Sequence, residues 1–525
     1  MTLALIYFAV TAGLELLVMS SLRLGRQLTT DSLSVFLVIT AGLIVYEQSN
    51  LAAILVAILM LYRVINLARL THRQHQLDYV QHLARRASVV LIGLQTAVLL
   101  VGALYSLDGA AVIVNTPMLL GISLLSLAIS GVLAHTIDRQ GRVTLPVPLK
   151  AFRPDSELPS LTVAIPARNE TADLEACLTT LTHSSYPKLE ILVLDDCSQN
   201  PHTPQVIRQF AHDGVRFIAG TSPPPNWLAK NHAYAQLADA ANGELILFCG
   251  VDARFEPNAL QTIVETLLNR QKTMLSVMPR NLVPARFKLE AMLVQPGRYA
   301  WELVLPRRWL DRPPVLSSLW LIRSQTLQDA GGLAAVHRAI LPERYFARFS
   351  ALNHDGYSFL QGGQLLGVSS AKSFSEQKAT AIRTRYPSLH RRVELTAVVS
   401  LIELAMLVMP YVALVSAAVA RQWLIVIVLS ATCLLLNFTY YQVVRMTYQQ
   451  RLLRGLWLMP FAALYDVALL NYSLFMYEFR KVIWKGRNVC IPVMRVIPRL
   501  PRLEPAFNQR SGRHHKRRHR HGRHH

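Results

Sequence analysis

The chain has 525 residues, of which 52% are hydrophobic and 16% charged, against about 25% charged residues in an average soluble domain. Its mean hydropathy is +0.28. These figures exclude a mainly disordered protein and argue against an ordinary cytosolic one. They indicate a membrane protein with a sizeable water-exposed part.

The net charge of +22 is concentrated partly at the end of the chain, where residues 510–525 hold seven Lys or Arg and no acid. We expect residues 481–525 to form a basic, His-rich disordered tail that lies against anionic lipid headgroups. No recognition-fold signature points to a nucleic-acid partner. The five cysteines lie far apart without a CxxC pair, which excludes a disulfide framework or zinc site and indicates a reducing compartment.

Apolar runs long enough to approach a bilayer span predict a transmembrane region of about five helices in residues 1–135. They cover residues 3–22, 33–46, 51–67, 87–107 and 111–134. The connections between them alternate between loops that contain arginine and loops with no Lys or Arg. By the positive-inside rule the N-terminus is outside and the chain after residue 135 is cytoplasmic.

Residues 136–393 contain no convincing span and predict a cytoplasmic domain. Three further apolar runs follow, at residues 395–420, 423–444 and 456–476, so residues 394–480 are expected to form a second transmembrane region of two or three helices. Three full spans would place the basic tail outside, against the positive-inside rule. One run is therefore expected to lie in the interface or to be re-entrant.

Within the domain, short apolar strands alternate with helical patterns, which predicts an α/β fold with a mostly parallel sheet. The predicted strands cover residues 161–165, 189–194, 215–219 and 244–249. Polar clusters follow three of them: Arg168 to Glu170, Asp195 to Ser198, and Gly250 to Arg254. Because ligands bind beyond the carboxyl ends of parallel strands, these clusters predict one binding site. The absence of GxGxxG and GxxxxGK[ST] sequences disfavours dinucleotide and P-loop sites.

Several of these motifs, in this order, resemble family 2 glycosyltransferases with the GT-A, nucleotide-sugar-binding fold, in particular the ceramide, hopanoid-associated and carotenoid glucosyltransferase branch. The motifs are Ile165-Pro-Ala-Arg-Asn-Glu170, Leu194-Asp-Asp-Cys-Ser198, Asn226-Trp-Leu-Ala-Lys-Asn-His-Ala233, Ala253-Arg-Phe-Glu-Pro257, Ala330-Gly-Gly332 with Leu341-Pro-Glu343, and Trp484-Lys-Gly-Arg487. The resemblance covers residues 161–386 and 484–487.

The resemblance implies a role for each matching residue. On the donor side, Arg168 and Glu170 would flank the base and ribose, Asp195 and Asp196 would hold the nucleoside, Trp227 would shape the pocket and Lys230 would contact the phosphates. Asp252 would bind Mg²⁺ or Mn²⁺, since hard oxygen ligands suit both ions. Glu343 would be the catalytic base that deprotonates the acceptor hydroxyl, with His354 and Asp355 as the nearest substitutes. Arg383 and Arg385 could bind the diphosphate.

Each of these residues also has an ordinary structural explanation. Trp227 could simply pack below a proline loop, Lys230 could cap a helix or face solvent, and Glu343 could be a first-turn acid favoured by the helix dipole. The chain also departs from the family pattern, since Gly250 replaces the first Asp of D-x-D, Arg344 replaces the Asp after the base and Ala229 replaces a Gly. No Q-x-x-R-W sequence occurs, which argues against a processive synthase.

The sequence therefore predicts an inverting, non-processive membrane glycosyltransferase, which transfers a sugar from a nucleotide-sugar donor to a lipid-linked or membrane-embedded acceptor. The alternatives are a processive polysaccharide synthase and a catalytically weak membrane protein that binds sugar nucleotides, which the missing first Asp would favour. A transporter is less compatible with spans that contain few ionisable residues.

Overall fold

A computed structural model of the chain describes residues 116–146, 148, 151–282, 291–304, 313–353, 356–389, 391, 393–448, 453–479 and 481–490. The four apolar runs predicted before residue 111, His354, Asp355 and the tail after residue 490 lie outside these ranges.

A seven-stranded sheet forms the centre of the water-exposed part, with strand order β3-β2-β1-β4-β8-β6-β9. The strands β1 to β4 pair in parallel, and the three polar clusters follow β1, β2 and β4. The strand β8 runs antiparallel to both β4 and β6. The sheet strands are β1 (Leu161–Ala167), β2 (Leu189–Asp195), β3 (Val215–Ala219), β4 (Leu245–Cys249), β6 (Met274–Met278), β8 (Leu319–Arg323) and β9 (Tyr357–Gln361). The predicted mostly parallel α/β sheet is confirmed.

Two smaller sheets complete the strands. A three-stranded sheet has the order β5-β10-β7, and a two-stranded hairpin lies near the end of the described chain. These strands are β5 (Ala253–Phe255), β7 (Arg280–Asn281), β10 (Val368–Ser370), β11 (Ile483–Trp484) and β12 (Arg487–Asn488). β5 and β10 are antiparallel, and this pairing brings the residues after β10 close to those after β4.

Helices cover both faces of the large sheet because alternate residues of each strand point to opposite sides. Leu161, Val163 and Ile165 pack with α2 and α5 on one face, while Ala164 packs with α4 and α8 on the other. The helices of this part are α1 (Thr116–Val143), α2 (Ala172–Thr182), α3 (His202–Gln209), α4 (Ala229–Ala240), α5 (Ala259–Asn269), α6 (Ala291–Val304), α7 (Ser324–Asp329), α8 (Glu343–Leu352) and α9 (Phe374–Ser388).

The remaining helices are strongly apolar. They are α10 (Val393–Glu403), α11 (Met409–Val419), α12 (Trp423–Thr447) and α13 (Met459–Glu478). A π-helical segment, Leu404–Val408, joins α10 to α11. It ends two residues before Pro410, whose missing N–H and ring prevent a regular α-helical turn there.

Four helical segments in the described ranges are long and apolar enough to cross a membrane. They are Leu119–Val143, Val398–Val419, Trp423–Thr447 and Met459–Glu478. The first continues past Ala134, where the sequence predicted its end. The other three correspond to the predicted C-terminal runs.

The chain divides into two compact units. The unit that contains all three sheets consists of Leu127–Thr384, Ser430–Asp466 and Ile483–His525. The other consists of Met1–Ser126, Arg385–Leu429 and Val467–Val482. Every contact of the candidate site described below lies within the first unit.

Candidate active site at the carboxyl edge of the sheet

The carboxyl ends of β1 and β2 meet, as the sequence predicted. The backbone N–H of Asp196 donates to the carbonyl of Ala167 at 2.8 Å. The Arg168 guanidinium donates to the carbonyl oxygens of Asp196 and Cys197 at 2.5 and 2.6 Å. Arg168 is thus a buried side chain that holds the β2 loop against β1.

Asp195 and Asp196 have different surroundings although they are neighbours. Asp195 is half-buried and its Oδ1 accepts a hydrogen bond from the Ser198 N–H at 3.2 Å. Asp196 is 3% exposed. Asp195 therefore shapes the loop, and Asp196 presents its carboxylate to an enclosed region.

The β11–β12 hairpin supplies the cations that face these acids. Arg487 Nη1 contacts both carboxylate oxygens of Asp196, at 2.7 and 2.6 Å. Lys485 Nζ lies 2.6 Å from Glu170 Oε1, and Arg168 Nε donates to the Lys485 carbonyl at 2.9 Å. Burial raises the pKa of both Asp196 and Glu170, and their cationic partners oppose this shift. The hairpin thus forms one wall of the candidate site.

Asp252 lies just beyond β4. Its Oδ2 accepts a hydrogen bond from Ser370 Oγ at 2.9 Å and lies 3.8 Å from Lys372 Nζ. Burial alone would raise the pKa of Asp252, but Lys372 and the Ser370 hydroxyl outweigh it and hold this pKa below its ordinary value. The carboxylate of Asp252 is therefore ionised and already partnered.

A cavity opens between the hairpin and the segment that begins α4. Its walls include Trp227, Lys230, Arg383, Trp484 and Arg487. The Arg383 guanidinium lies over the Trp484 ring, 4.8 Å from its centroid, in the geometry of a cation–π contact. Cations and aromatic surfaces together suit a ligand with a charged part and a flat part.

Lys230 is half-buried on the first turn of α4, with Nζ 5.0 Å from the centroid of the Tyr234 ring. Burial lowers the pKa of Lys230 to about 8, although the negative charge of Glu343 opposes the shift. Trp227 contacts the rings of His232 and His337, with centroid separations of 5.7 and 5.5 Å. The structure thus brings Trp227 and Lys230 to the same cavity.

Glu343 is the first residue of α8 and is completely buried. Within the described ranges, neither of its carboxylate oxygens has a hydrogen-bond partner. An acid that merely starts a helix normally faces water, because burying an unpaired carboxylate costs several kcal/mol. The environment of Glu343 therefore favours a functional role over a purely local one.

The two arginines predicted to bind diphosphate separate in the structure. Arg383 lines the cavity. Arg385 is buried and belongs to the other compact unit. Arg383 thus lies at the cavity, and the role predicted for Arg385 stays a prediction.

Four basic residues at the site were absent from the sequence prediction of site residues: Lys372, Arg298, Lys485 and Arg487. The Trp484-Lys-Gly-Arg487 motif was a signal for the last two, but it did not reveal which acids they face. Lys372 and Arg298 lie in no recognised motif, and only the pairing of β5 with β10 brings Lys372 to Asp252.

Comparison with known proteins identifies the central part of the chain. Residues 162–308 match the family model for Glycosyl transferase family 2. The chain is 30% identical over 116 residues to the glycosyltransferase AglE of Haloferax volcanii, a match that covers 21% of this chain and 36% of AglE. It is 31% identical over 120 residues to the probable glycosyltransferase YdaM of Bacillus subtilis, covering 22% and 28% of the two chains.

The matched region spans about a third of the length of these two relatives. Among solved structures, the chain is similar to a mannosyltransferase, PcManGT from Pyrobaculum calidifontis in complex with GDP-Man and Mn²⁺. That likeness has 18% identity and a TM-score of 0.43, and covers 67% of this chain and 99% of the other. Residues 162–308 are thus similar to glycosyl transferase family 2 domains, and they include strands β1 to β7 of the mostly parallel α/β fold.

Proposed function

We propose that the protein is a membrane glycosyltransferase that moves one sugar from a nucleotide-sugar donor to a lipid-linked or membrane-embedded acceptor. The family 2 match covers the donor side of the sheet. The apolar helices argue for the acceptor, because a domain attached to membrane spans stays at the headgroup plane. The observation that carries the proposal is the buried, unpartnered carboxylate of Glu343 in the same unit as this sheet edge.

The reaction is a single displacement with inversion. The acceptor oxygen attacks C1 of the sugar, the C1–O bond to the diphosphate breaks, and its electron pair goes to the leaving phosphate oxygen. The acceptor proton moves to Glu343, which acts as the general base.

On the donor side, the cavity wall offers a flat surface and cations. Trp227 and Lys230 would contact the donor in the cavity, and Arg383 would contact the diphosphate. Arg168 and Glu170 would shape the nucleoside end through the β2 loop and the hairpin. Asp195 and Asp196 would also hold the nucleoside end, where Arg487 pairs with Asp196.

The side chains around Asp252 decide whether the expected Mg²⁺ or Mn²⁺ fits there. Within the described parts of the chain, no group of three or more His, Cys, Asp or Glu side chains could hold a metal ion. Asp252 itself already faces the Lys372 ammonium, and a divalent cation beside that ammonium would be strongly repelled. These side chains do not fit a resident divalent cation, and the proposed displacement reaction uses none.

For the topology, we propose a cytoplasmic catalytic domain, covering residues 136–393, in a protein of the cell membrane with its N-terminus outside. The alternation of basic and uncharged loops supports this orientation. The membrane-spanning helices and the basic tail would contact membrane lipids.

The Glu343→Gln variant tests the catalytic proposal because it keeps the shape and removes the base. We expect sugar transfer to fall about 10²- to 10⁴-fold, while the nucleoside diphosphate still binds at least as tightly, because the substitution removes a negative charge that acts on Lys230. Transfer is measured with a panel of nucleotide sugars and membrane lipid extract, and affinity by calorimetry on the same preparation.

Glu175→Gln, an exposed acid on α2, is the matched control and should transfer sugar normally. Full turnover by Glu343→Gln would remove Glu343 from the mechanism. A joint loss of nucleotide binding would show that Glu343 is structural. Products with many added sugars would indicate the processive alternative.

A further inference from the structure

The space that a first D-x-D carboxylate would need is taken by Asp252. A Cβ added to Gly250 would lie 2.6 Å from Asp252 Oδ1, closer than real Cβ atoms approach an oxygen. Asp252 is thus folded toward the Gly250 backbone, with Oδ2 turned to Ser370 and Lys372. The site is built around one carboxylate and one ammonium.

Lys372 is held firmly at this position. It follows β10, whose pairing with β5 fixes the loop next to Asp252. The Ala371 N–H donates to the Asp252 carbonyl at 2.9 Å, so both backbone and side chain connect the two segments. The Lys372 side chain is 17% exposed, so it is not fully closed off from solvent.

Other cations surround Lys372. The charges of Arg298 and Arg383 act on Lys372, and the same two charges act on Lys230. Clustering four cations costs free energy unless anions balance them. The acids whose charges act on the two lysines are Asp252, Glu343 and Glu376. Three acids do not balance four cations, so the cluster keeps a positive charge for an anionic ligand.

On the basis of the glycosyltransferase function proposed above, we propose that Lys372, positioned by Asp252, together with Lys230, Arg298 and Arg383, neutralises the leaving diphosphate in place of a divalent cation. When the C1–O bond breaks, the diphosphate gains one negative charge, and these groups are already oriented to receive it. Asp252 is then a positioning residue for Lys372.

The test uses inorganic pyrophosphate as a probe, because it carries the diphosphate without the nucleoside. Its binding to the full-length protein in detergent is measured by calorimetry, once in excess EDTA and once with Mg²⁺ in both cell and syringe. We expect binding in EDTA that Mg²⁺ does not strengthen. Lys372→Gln should weaken it about 10- to 100-fold, as loss of a charged hydrogen bond would.

Lys372→Arg, which keeps the charge, should restore most of this affinity. Lys378→Gln, an exposed lysine on α9, is the matched control and should bind like the wild type. Asp252→Asn should weaken binding less than Lys372→Gln, because it releases Lys372 without removing its charge. Circular dichroism and size-exclusion chromatography verify the fold of each variant.

Binding that appears only with Mg²⁺, or no binding in either condition, would overturn the proposal. Unchanged binding by Lys372→Gln would also overturn it. These outcomes are separate from failure of the proposed function, which would show as normal pyrophosphate binding in EDTA with no transfer from any nucleotide sugar.

Discussion

Glu343 illustrates how far single residues can be interpreted from sequence. Its place after Gly331 and Gly332 suggested a catalytic base, and its place after Pro342 equally suggested an ordinary helix start. The sequence could not distinguish these two interpretations, because they differ in whether the Glu343 side chain is buried. Burial depends on which segments pack over α8, and those segments lie far away along the chain.

Lys230 provides a prediction about pH. Its pKa of about 8 means that it carries a charge at pH 7 and loses it as the pH rises through 8. We expect pyrophosphate affinity to be full below pH 7 and to fall above pH 8, by at most about tenfold per pH unit for one proton. Calorimetry between roughly pH 6.5 and pH 9.5, a range that brackets this pKa, measures the decline in affinity.

The control is Lys230→Arg, which stays charged throughout and should flatten the profile. Burial lowers the pKa of Lys372 as well, and the charge of Lys372 also acts on Lys230. The other charged groups that act on Lys230 are Glu343, Arg383 and Arg298. The same steep decline in Lys230→Arg would show that another group is responsible.

At the scale of elements, the sequence predicted the first strands well. The strand Val215–Ala219 has the predicted bounds. Helix α2, between β1 and β2, buries Leu174, Cys177, Leu178 and Leu181 on one face, at the spacing of an amphipathic helix. Local patterns succeed here because β1 to β4 alternate with helices that follow directly in the chain.

The β11–β12 hairpin shows what local patterns leave out. Its motif was recognised, but its contacts with Glu170 and Asp196 could not be deduced because they join distant parts of the chain. Locally the hairpin is simple, with Lys485 and Gly486 both at positive φ in a two-residue turn. Such a turn matches the twist of paired strands.

The turn gives a prediction at this scale. Gly486 has φ +76° and open space around it, so only backbone strain penalises a side chain there. Gly486→Val should lower the free energy of unfolding of the compact unit that contains the β11–β12 hairpin by about 1–2 kcal/mol. It should also weaken pyrophosphate binding, because Arg487 follows directly. Denaturant unfolding and calorimetry measure the two effects.

Gly486→Asn is the matched variant, because Asn adopts left-handed conformations more easily than Val. It should retain most of the stability and affinity. If Val and Asn behave alike, the turn does not hold the hairpin in place.

At the scale of the whole molecule, the sequence predicted the C-terminal apolar segments, and their length and composition are confirmed in the described ranges. Interactions with lipid and the distribution of charge decide which segments cross the bilayer and in which direction. The spans and their orientation therefore stay predictions. The proposed orientation rests on loops before residue 111, which are outside the described residues.

Labelling with a membrane-impermeant thiol reagent in intact cells tests the orientation. Cys197 is replaced by Ser to remove the half-buried native thiol. In this background, Thr179→Cys, exposed on α2, should stay unlabelled until the membrane is permeabilised. Gln48→Cys, in a loop predicted to be outside, should label at once. The reverse pattern would invert the proposed topology.

The ion pair between Asp196 and Arg487 also has a consequence for biosynthesis. The two residues are 291 positions apart, and a ribosome adds roughly 5–20 residues per second. Asp196 therefore waits roughly 15–60 s after its synthesis before its partner exists. During that interval the ribosome makes α12 and α13. The nascent chain can pair β1 to β4 early, but the hairpin that walls the cavity is made only after the last apolar helix. A chain released before β11 would thus contain every strand of the seven-stranded sheet but lack the arginine that pairs with Asp196.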